Sequence, residues 1–462
     1  MVRTSSFIRL LIASFLLSSL CFADSQARIV RLSSVDGDVQ IDRNTGQGFE
    51  KAFLNLPITQ GVKLQTGSDG RAEVEFEDGS VVRLAPGAVV EFSQLALRDS
   101  GAKASSIKVQ QGTAYVNFRG GNDEFTVNFG RETVALKDAI RFRVQMSDAN
   151  ATLAVFKGNA KIEGPSGSVE AGKNQSVTFD LANHDQYETA SNVEDAPFDT
   201  WDKEQAKYHD TYSSKSSYRD YSPYAYGVSD LNYYGNFFSA PGYGMVWQPY
   251  FVSMGWDPFM DGGWAWSPGY GYTWVSAYPW GWTPYHCGSW LFGQSFGWAW
   301  QPGGCGSSFG FTPVINAPIN FHPPQPPVGR PGRGTIVMVP RPILSNSSVP
   351  AHRMVIENNS AGLGIPRGGI KDMPHLSTVV RQNGSATASF RPAPMVARPM
   401  INNTMINNTG MPRPSAPSSA PRGSSPMSSG ASRPMPSSRP MGPSQPMAPS
   451  HSSSVPRGTT KK

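Results

Sequence analysis

Alternating apolar and polar positions run through the first third of the chain. In residues 71–77, Ala, Val and Phe face one way while Arg and three Glu, among them Glu73 and Glu75, face the other. Residues 125–129 and 140–146 alternate in the same way. A period of two residues is typical of a β-strand with one face in the core and one in water. The pattern therefore predicts half-buried strands and places Glu73 and Glu75 on a wetted face.

Turn-forming residues divide this zone into short segments. Asp36-Gly37, Pro86-Gly87 and Gly158-Asn159 are examples, and Asp78-Gly79-Ser80 fits a tight turn better than a ligand loop. Many short strands between such turns indicate an all-β sandwich, barrel or solenoid-like sheet. We predict one β-domain over residues 28–182, which is long enough to form its own core.

A short helix and an aromatic array follow. Around residues 195–210, a proline fits the first helical turn and aromatic residues fall near one face, which predicts a short helix or linker. Across residues 230–305 the pattern Trp-x-Pro recurs five times, and after the first of these residues only Asp257 and Asp261 are charged. Proline keeps such stretches out of helices and central strands, and glycine lets the backbone pass close to large rings. We predict an aromatic, Gly/Pro-rich β/turn repeat module here.

The rings of this module allow two interpretations. They pack as its core, or part of them forms a surface on which sugar rings stack. Nucleic acid is disfavoured as a partner because no Lys or Arg follows Arg219 in this zone to contact phosphates. The candidate ligand-binding rings are Trp247, Tyr250, Trp256, Trp266, Trp282, Tyr285, Trp290 and Trp300.

The amino terminus has the features of a secretory signal peptide. Arg3 and Arg9 precede an apolar run over residues 10–20, and small residues then occupy the two positions that signal peptidase recognises. We predict cleavage after Ala23, which gives a signal peptide over residues 1–23; an uncleaved anchor is the alternative. No later run approaches the roughly 18 apolar residues of a membrane span. The mature chain is expected to be exported, to the periplasm or the cell surface, without a transmembrane segment.

Two cysteines remain after export. An oxidising compartment can join Cys287 and Cys305 as a disulfide, and free thiols are the alternative because sequence does not supply their Cα separation. A metal site at His286 and Cys287 lacks any supporting ligand spacing. No metal and no cofactor are predicted.

Residues 320–462 differ from the rest of the chain in composition and charge. They are rich in Pro, Ser, Met, Arg and Gly, and from His322 onward 16 Lys and Arg face two acidic residues, whereas the whole chain carries a net charge of +6. So little apolar surface cannot offset the entropy of ordering the chain, which predicts a disordered basic tail. Its charge suits contact with anionic envelope surfaces; a merely solubilising role is the alternative.

The sequence carries no catalytic signature. Its seven His are dispersed, and no HExxH, GxSxG, phosphate loop or dinucleotide fingerprint occurs. The strand alternation explains Glu73 and Glu75 without a role as glycosidase acids. We predict a protein that is not an enzyme.

Four motifs of the β-domain together resemble the FecR domain. They are GVKLQTGS at 61–68, DGSVVRLAPG at 78–87, GTAYV at 112–116 and AVFKGNA at 154–160. The resemblance extends over roughly residues 28–180 and implies an exported, antiparallel all-β domain. In iron-uptake systems that family relays the state of an outer-membrane receptor to a cytoplasmic sigma factor. Because only about nine residues precede the apolar run, we do not expect the cytoplasmic part of that relay here.

The aromatic zone resembles a Trp/Tyr-rich region of unknown function that often follows FecR-like domains in exported bacterial proteins. The matching stretches include DLNYYG at 230–235, GMVWQP at 244–249 and PWGWTPYHCGSW at 279–290. That family usually has an aromatic residue after the histidine and Arg before the last Trp. Cys287 and Ser289 stand at these positions here, so a site that relied on the Arg is in doubt.

These observations lead to one functional expectation and two alternatives. We expect a non-catalytic cell-envelope protein whose FecR-like domain binds or scaffolds a ligand or another envelope protein. Its aromatic module would contact envelope polysaccharide or peptidoglycan. The alternatives are extracytoplasmic signalling, as a FecR-type sensor or regulator of a sigma-factor system, and a self-associating matrix protein.

Overall fold

The computed structural model describes residues 26–213, 226–268, 270–305, 312–329, 337–338 and 353–390. The predicted signal peptide at residues 1–23 lies outside the described residues, as does the tail beyond residue 390. About 47% of the structure is strand and 12% is helix, which confirms the all-β class. Within the described ranges, no helix is both long and apolar enough to cross a membrane.

Short strands build the amino-terminal β-domain. In chain order they are β1 (Gln26–Ala27), β2 (Val30–Asp36), β3 (Val39–Asp42), β4 (Glu50–Lys51), β5 (Pro57–Ile58), β6 (Lys63–Thr66), β7 (Arg71–Glu75), β8 (Val81–Leu84), β9 (Val89–Leu97), β10 (Lys103–Phe118), β11 (Glu124–Phe129), β12 (Glu132–Leu136), β13 (Ile140–Met146), β14 (Asn150–Lys157), β15 (Ala160–Gly164), β16 (Gly167–Ala171), β17 (Ser176–Asp180) and β18 (Gln186–Ala190).

The long strand β10 joins the two sheets of this domain. Its first half pairs with β9 and β11, and its second half pairs with β8 and β13. Gly112 lies between the halves with a φ of 74°, and a Cβ there would clash with the backbone of Gly87, so glycine is required at the crossing. One sheet contains β5-β2-β7-β8-β10-β13-β14-β17-β18 and the other β4-β3-β6-β9-β10-β11-β12-β15-β16. Because β10 takes part in both sheets, the strands form one continuous hydrogen-bonded array.

Apolar side chains fill the space between the two sheets. Val74 and Phe76, on and after β7, are at most 2% exposed, as are Val82 on β8 and Phe142 on β13. Phe76 packs edge-on against Phe125 with ring centroids 4.9 Å apart. This is the inward face that the alternation predicted.

The opposite face of β7 is dry, and the prediction that it faces water is wrong. Glu73 is 0% exposed and Glu75 is 2% exposed. The period of two was correct, but two helices from the next part of the chain lie over this face. His209 on the first contacts Glu73, and the N–H of Gly227, which precedes the second, donates to Glu75. Alternation separates the two faces of a strand and does not reveal what covers the second one.

The region after the β-domain combines these helices with two small sheets. Helix α1 spans Asp199–Ser213, so the predicted helix over 195–210 is displaced toward the carboxyl end, and α2 spans Val228–Tyr234. The other elements are β19 (Gly235–Ala240), β20 (Gly244–Pro249), β21 (Gly262–Ser267), β22 (Gly271–Ser276), α3 (Thr283–His286), β23 (Cys287–Gly293), β24 (Gly297–Cys305), β25 (Val314–Ile315) and β26 (Val337–Met338). Their sheets are ordered β19-β20-β24-β23-β25 and β22-β21-β26.

Tryptophan rings form the core of this aromatic region. Trp247, Trp300 and Trp290 lie side by side on neighbouring strands, opposite one another in the pairing register. Trp280 stacks on Tyr278 with ring centroids 4.9 Å apart and planes 4° from parallel. Offset and edge-on ring pairs of this kind add roughly 0.5–1.5 kcal/mol each beyond the burial of area.

Part of the predicted disordered tail is folded. Residues 353–390 form β27 (Arg353–Glu357), α4 (Met373–Asn383) and β28 (Ser385–Ser389). The side chains of Ile356, Ile365 and Val380 are at most 4% exposed and pack into the aromatic core. The prediction of disorder over 320–462 is wrong for this segment because composition was averaged over a length that hides a short apolar island.

A disulfide closes the β23–β24 hairpin of the aromatic region. The structure joins Cys287 at the start of β23 to Cys305 at the end of β24, 18 residues apart in sequence. The bridge links the two strands at the end opposite to their turn, so it limits how far the hairpin can open.

We predict that reducing this bridge lowers the free energy of unfolding by about 3 kcal/mol, because a loop of this length loses its closure constraint in the unfolded chain. Urea unfolding followed by Trp fluorescence, with and without dithiothreitol, measures the change. A Cys287→Ala/Cys305→Ala variant is the control and should not respond to the reductant. Identical wild-type midpoints under both conditions would contradict the prediction.

Candidate functional site

Eight charged or titratable side chains meet between the β-domain and the covering helices. We call this group the buried charge cluster. It consists of Arg31 on β2, Glu73 and Glu75 on β7, Arg83 on β8, Asp202 and His209 on α1, Asp230 on α2, and Arg367 in the loop between β27 and α4.

Strand register places opposite charges next to each other on the sheet. Arg31 on β2 lies across from Glu75 on β7, and Glu73 on β7 lies across from Arg83 on β8. Directly opposed residues of an antiparallel pair have close Cβ atoms, so opposite charges there attract. The β-domain therefore supplies two complementary pairs on one face before any helix covers it.

Glu73 has the largest number of partners in the cluster. Its Oε1 accepts hydrogen bonds from Ser33 Oγ at 2.7 Å and from Arg367 Nη1 at 2.6 Å. Its Oε2 accepts from Arg83 Nε at 2.7 Å, and the Nε2 atom of His209 lies 3.0 and 3.1 Å from the two oxygens. One carboxylate thus connects two strands, one helix and the segment after β27.

Asp230 is a second centre, and it belongs to the aromatic region. Its Oδ2 lies 2.7 Å from Arg31 Nη2 and 2.8 Å from Arg367 Nη2, and its Oδ1 accepts from the Tyr208 hydroxyl at 2.9 Å. Arg31 also donates to Glu75 at 3.2 Å. A guanidinium of the β-domain is therefore shared between its own strand and a helix of the next region.

Helix α1 is held on the sheet by further charged contacts. Arg83 Nη1 donates to Asp202 Oδ1 at 2.6 Å. Near the start of the helix, Asp199 accepts from the Tyr115 hydroxyl at 2.9 Å and from Arg143 Nη1 at 2.5 Å. Several charge-assisted hydrogen bonds along one helix fix its orientation as well as its position.

The charge state of the cluster follows from burial and pairing. Burial opposes ionisation of Glu73, but attraction from His209, Arg83 and Arg367 outweighs it and holds the pKa of Glu73 well below its ordinary value. For Asp230, burial is likewise outweighed by the arginines, and its pKa is lowered. Burial dominates at Glu75 and raises its pKa. The two carboxylates that contact Arg367 are thus held as anions.

The cluster fastens parts of the fold together and leaves its carboxylates closed to solvent. Arg31, Glu73 and Arg83 are each 0% exposed, and Arg367 has a side-chain exposure of 8%. Across the described ranges, no group of three or more His, Cys, Asp or Glu side chains is arranged to hold a metal ion. The geometry supports mechanical coupling between the β-domain and the aromatic region.

Most of the predicted ligand-binding rings lie in the aromatic core. Six of them are at most 1% exposed: Trp247, Trp256, Trp282, Tyr285, Trp290 and Trp300. Several of their polar atoms bond inside the protein: the indole N–H of Trp247 donates to Leu231 O and that of Trp300 to Cys287 O, both within 2.9 Å. Tyr250 and Trp266 are partly exposed.

Trp266 borders an open cleft at the edge of the aromatic region. The cleft has a volume of about 740 Å³ and is lined by Trp266, Pro268, Gly271, Tyr272, Pro326, Pro327 and Gly329. It brings an aromatic hairpin, β21–β22, against a proline-rich stretch that follows β25. Of the eight predicted rings, Trp266 alone lines it.

Sequence reasoning missed the buried charge cluster, although part of its signal was present. Glu73, Glu75 and Arg83 sit at alternate positions of two strands that the Asp78-Gly79-Ser80 turn makes neighbours, whereas Arg31 lies on a strand distant in sequence. Matching acids to arginines across those strands would have suggested cross-strand pairs. The contribution of Arg367, 294 residues from Glu73, has no local sequence signal.

Known protein families match both the β-domain and the aromatic region. The family described as FecR protein matches residues 62–161, and the chain carries a FecR domain there, as its motifs suggested. A family of unknown function, DUF6600, matches residues 228–319. Glu73, Glu75 and Arg83 lie in the first match and Asp230 in the second, so the buried charge cluster joins the two.

Two crystal structures, at 2.50 and 1.65 Å resolution, show limited similarity to this chain. Both are titled as a "putative anti-sigma factor" from Parabacteroides distasonis ATCC 8503. Each is 17% identical, with a TM-score of 0.26, over 30% of this chain. The chain spans 63% of the length of those proteins, and a likeness at this level carries no argument. No curated protein matches the chain.

We predict that Arg83→Ala lowers the free energy of unfolding by about 3–5 kcal/mol, because Glu73 and Asp202 would each lose a buried partner. Arg98→Ala is the matched control: Arg98 pairs with Glu124 at the same 2.6 Å distance, but both side chains are about half exposed. That variant should lose less than about 1 kcal/mol. Chemical denaturation at pH 7 measures both, and equal losses would contradict the prediction.

Proposed function

We propose that this chain is an exported regulator of extracytoplasmic signalling that acts by binding another protein of the cell envelope. The FecR match supports this more directly than a general scaffolding role, because the FecR family is a regulatory one. The proposal includes export, on the basis of the signal-peptide pattern at residues 1–23.

The observation that carries the proposal is the coupling of the FecR domain to the aromatic region through buried ion pairs. On the sheet, Arg31 pairs with Asp230 of α2, and Glu73 pairs with Arg367. Arg367 also pairs with Asp230. Pulling the two apart would leave desolvated charges without partners, which is strongly unfavourable. A partner that docks on the aromatic region therefore acts on the strands of the FecR domain as well.

Deletion of the gene in its bacterium tests the signalling role. We expect the transcripts of one set of genes, controlled by a single sigma factor, to change together, and the wild-type chain to restore them. Transcript profiling of the deletion strain with and without the restored gene gives the measurement. An unchanged transcript profile would count against a regulatory function.

The same strain can show whether the coupling matters. Complementation with Arg83→Met, which removes the bonds from Arg83 to Glu73 and to Asp202 on α1, should fail to restore the transcripts. Complementation with Arg98→Ala should succeed. Equal amounts of exported protein, checked by immunoblot, are needed for the comparison, and full restoration by Arg83→Met would argue against coupling as the mechanism.

A second candidate function is glycan binding at the cleft beside Trp266. The six buried rings are not accessible in this conformation, which leaves Tyr250 and Trp266 of the predicted stacking surface. Of these two, Trp266 borders the cleft, beside Tyr272. An aromatic ring beside open space suits the apolar face of a sugar.

We predict that Trp266→Ala reduces retention of the chain on purified peptidoglycan or envelope polysaccharide at least about tenfold, if the cleft binds glycan. Tyr187→Ala, which removes a 39% exposed ring from β18, is the control and should be retained normally. Co-sedimentation with the insoluble polymer measures both. Failure of the wild-type chain to sediment would remove this second function and leave the signalling proposal untouched.

A further inference from the structure

The segment 353–390 is a separate hairpin-and-helix unit whose apolar side chains pack into the aromatic core. Its strands β27 and β28 pair with each other, and α4 packs against β28. In the part of the chain that the structure describes, neither strand pairs with a strand outside the segment. The unit is held to the aromatic region by side-chain packing, by hydrogen bonds to its backbone carbonyls and by a backbone bond from Ala361 N to Phe251 O at 3.3 Å. No continuous strand ladder has to break for it to leave.

The loop between β27 and α4 is recognised through its backbone. Buried side chains of the aromatic region donate to its carbonyl oxygens: Tyr233 to Ile370 at 3.0 Å, Tyr234 to Ile365 at 2.7 Å and Trp280 to Ala361 at 2.7 Å. Gly362 has a φ of 85°, and a Cβ there would lie 2.8 Å from the Tyr234 ring. The hydrogen bonds read the shape of the loop backbone, and at Gly362 the fit requires glycine.

Arg367 inserts into a pocket that is shaped for one arginine. Its two terminal nitrogens reach separate carboxylates, Glu73 at 2.6 Å and Asp230 at 2.8 Å, while the Tyr208 ring lies 5.6 Å from the guanidinium carbon. A planar fork between two carboxylates, beside an aromatic face, is how proteins select arginine over lysine. Arg31 and Arg83 hold the two carboxylates from the other side, so the pocket belongs to the rest of the fold.

The chain is long enough for the unit to reach another molecule. Fourteen residues separate Met338, which pairs with β21, from Arg353 at the start of β27. A fully extended chain of that length spans roughly 50 Å. This exceeds the width of a small domain, so the unit can reach the corresponding pocket of an adjacent copy.

We propose that the Glu73–Asp230 pocket is a docking site for the 353–390 unit of a second copy of this chain. Two copies then exchange the units reciprocally, and each Arg367 enters the pocket of the other copy. The contacts in the exchanged dimer are those of the single chain. The equilibrium between monomer and exchanged dimer is therefore set by the segment that connects residues 338 and 353 and by the protein concentration. This inference does not depend on the signalling proposal.

Isotope mixing tests the exchange on the wild-type full chain. Equal amounts of 14N- and 15N-labelled protein are mixed, incubated at rising concentration and cross-linked through lysines. We expect mixed-isotope links between Lys371, next to the docked loop, and Lys203 or Lys207 on α1, in a proportion that rises with concentration. All three lysines are exposed. Links confined to one isotope at every concentration, including after unfolding and refolding of the mixture, would overturn the proposal.

Complementary variants separate exchange through this pocket from other association. One copy carries Arg367→Ala with an intact pocket, and the other carries Glu73→Gln and Asp230→Asn with an intact arginine. Only the mixed dimer restores one correct pairing, so mixed links should be enriched at least about threefold over those of the wild-type mixture. Arg353→Ala, which removes an exposed arginine of the same unit, replaces Arg367→Ala as the control and should give no enrichment. Equal enrichment with the control would show association elsewhere and overturn the pocket as the site.

Discussion

The structure depends on keeping the carboxylate of Glu73 charged where water does not reach it. An ionised carboxylate without exposed surface is strongly unfavourable unless several donors surround it. Its donors come from Ser33, Arg83, His209 and Arg367, on four different parts of the chain. The carboxylate has all its hydrogen-bond donors only when β8, α1 and the loop that carries Arg367 are packed around it. One desolvated group thereby links the FecR domain to α1 and to the 353–390 unit.

The charged and aromatic parts of the interface have different tasks. Buried ion pairs add little net stability compared with apolar packing of similar volume, but breaking one partner is costly, so they select one arrangement over its alternatives. Stability comes from the rings: Trp247, Trp280 and Trp290 are fully buried, and packing large rings removes much apolar surface from water. The aromatic zone has few charged residues because rings fill its interior. Asp230, at its border, makes the ion pairs with Arg31 and Arg367.

Sequence patterns predicted the local structure well. They did not predict which strand faces are buried by residues distant in sequence. The period of two located β7 and β13, because side chains on a pleated strand must alternate. It could not show that Glu73 is buried, since the covering residues Asp230 and Arg367 lie far away in sequence. The Trp-x-Pro repeat indicated an aromatic module with two open interpretations, and the structure places six of the eight candidate rings in the core. Average composition hid the folded unit at 353–390, because a short apolar island barely changes the mean of a long polar tail.

The excess positive charge of the carboxyl-terminal part is divided between two roles by position. Arg353, Lys371 and Arg381 are exposed on the 353–390 unit, where cations stay hydrated and remain available to anionic surfaces. Arg367 is buried between two carboxylates and acts on the fold itself. The difference does not follow from residue type, because arginine occupies both kinds of position. It follows from the loop: Gly364 and Gly368, both at positive φ, turn the backbone near Arg367, and its side chain reaches Glu73 and Asp230. The net charge of a segment determines which surfaces it attracts. The backbone geometry determines which of its charged side chains are buried inside the protein.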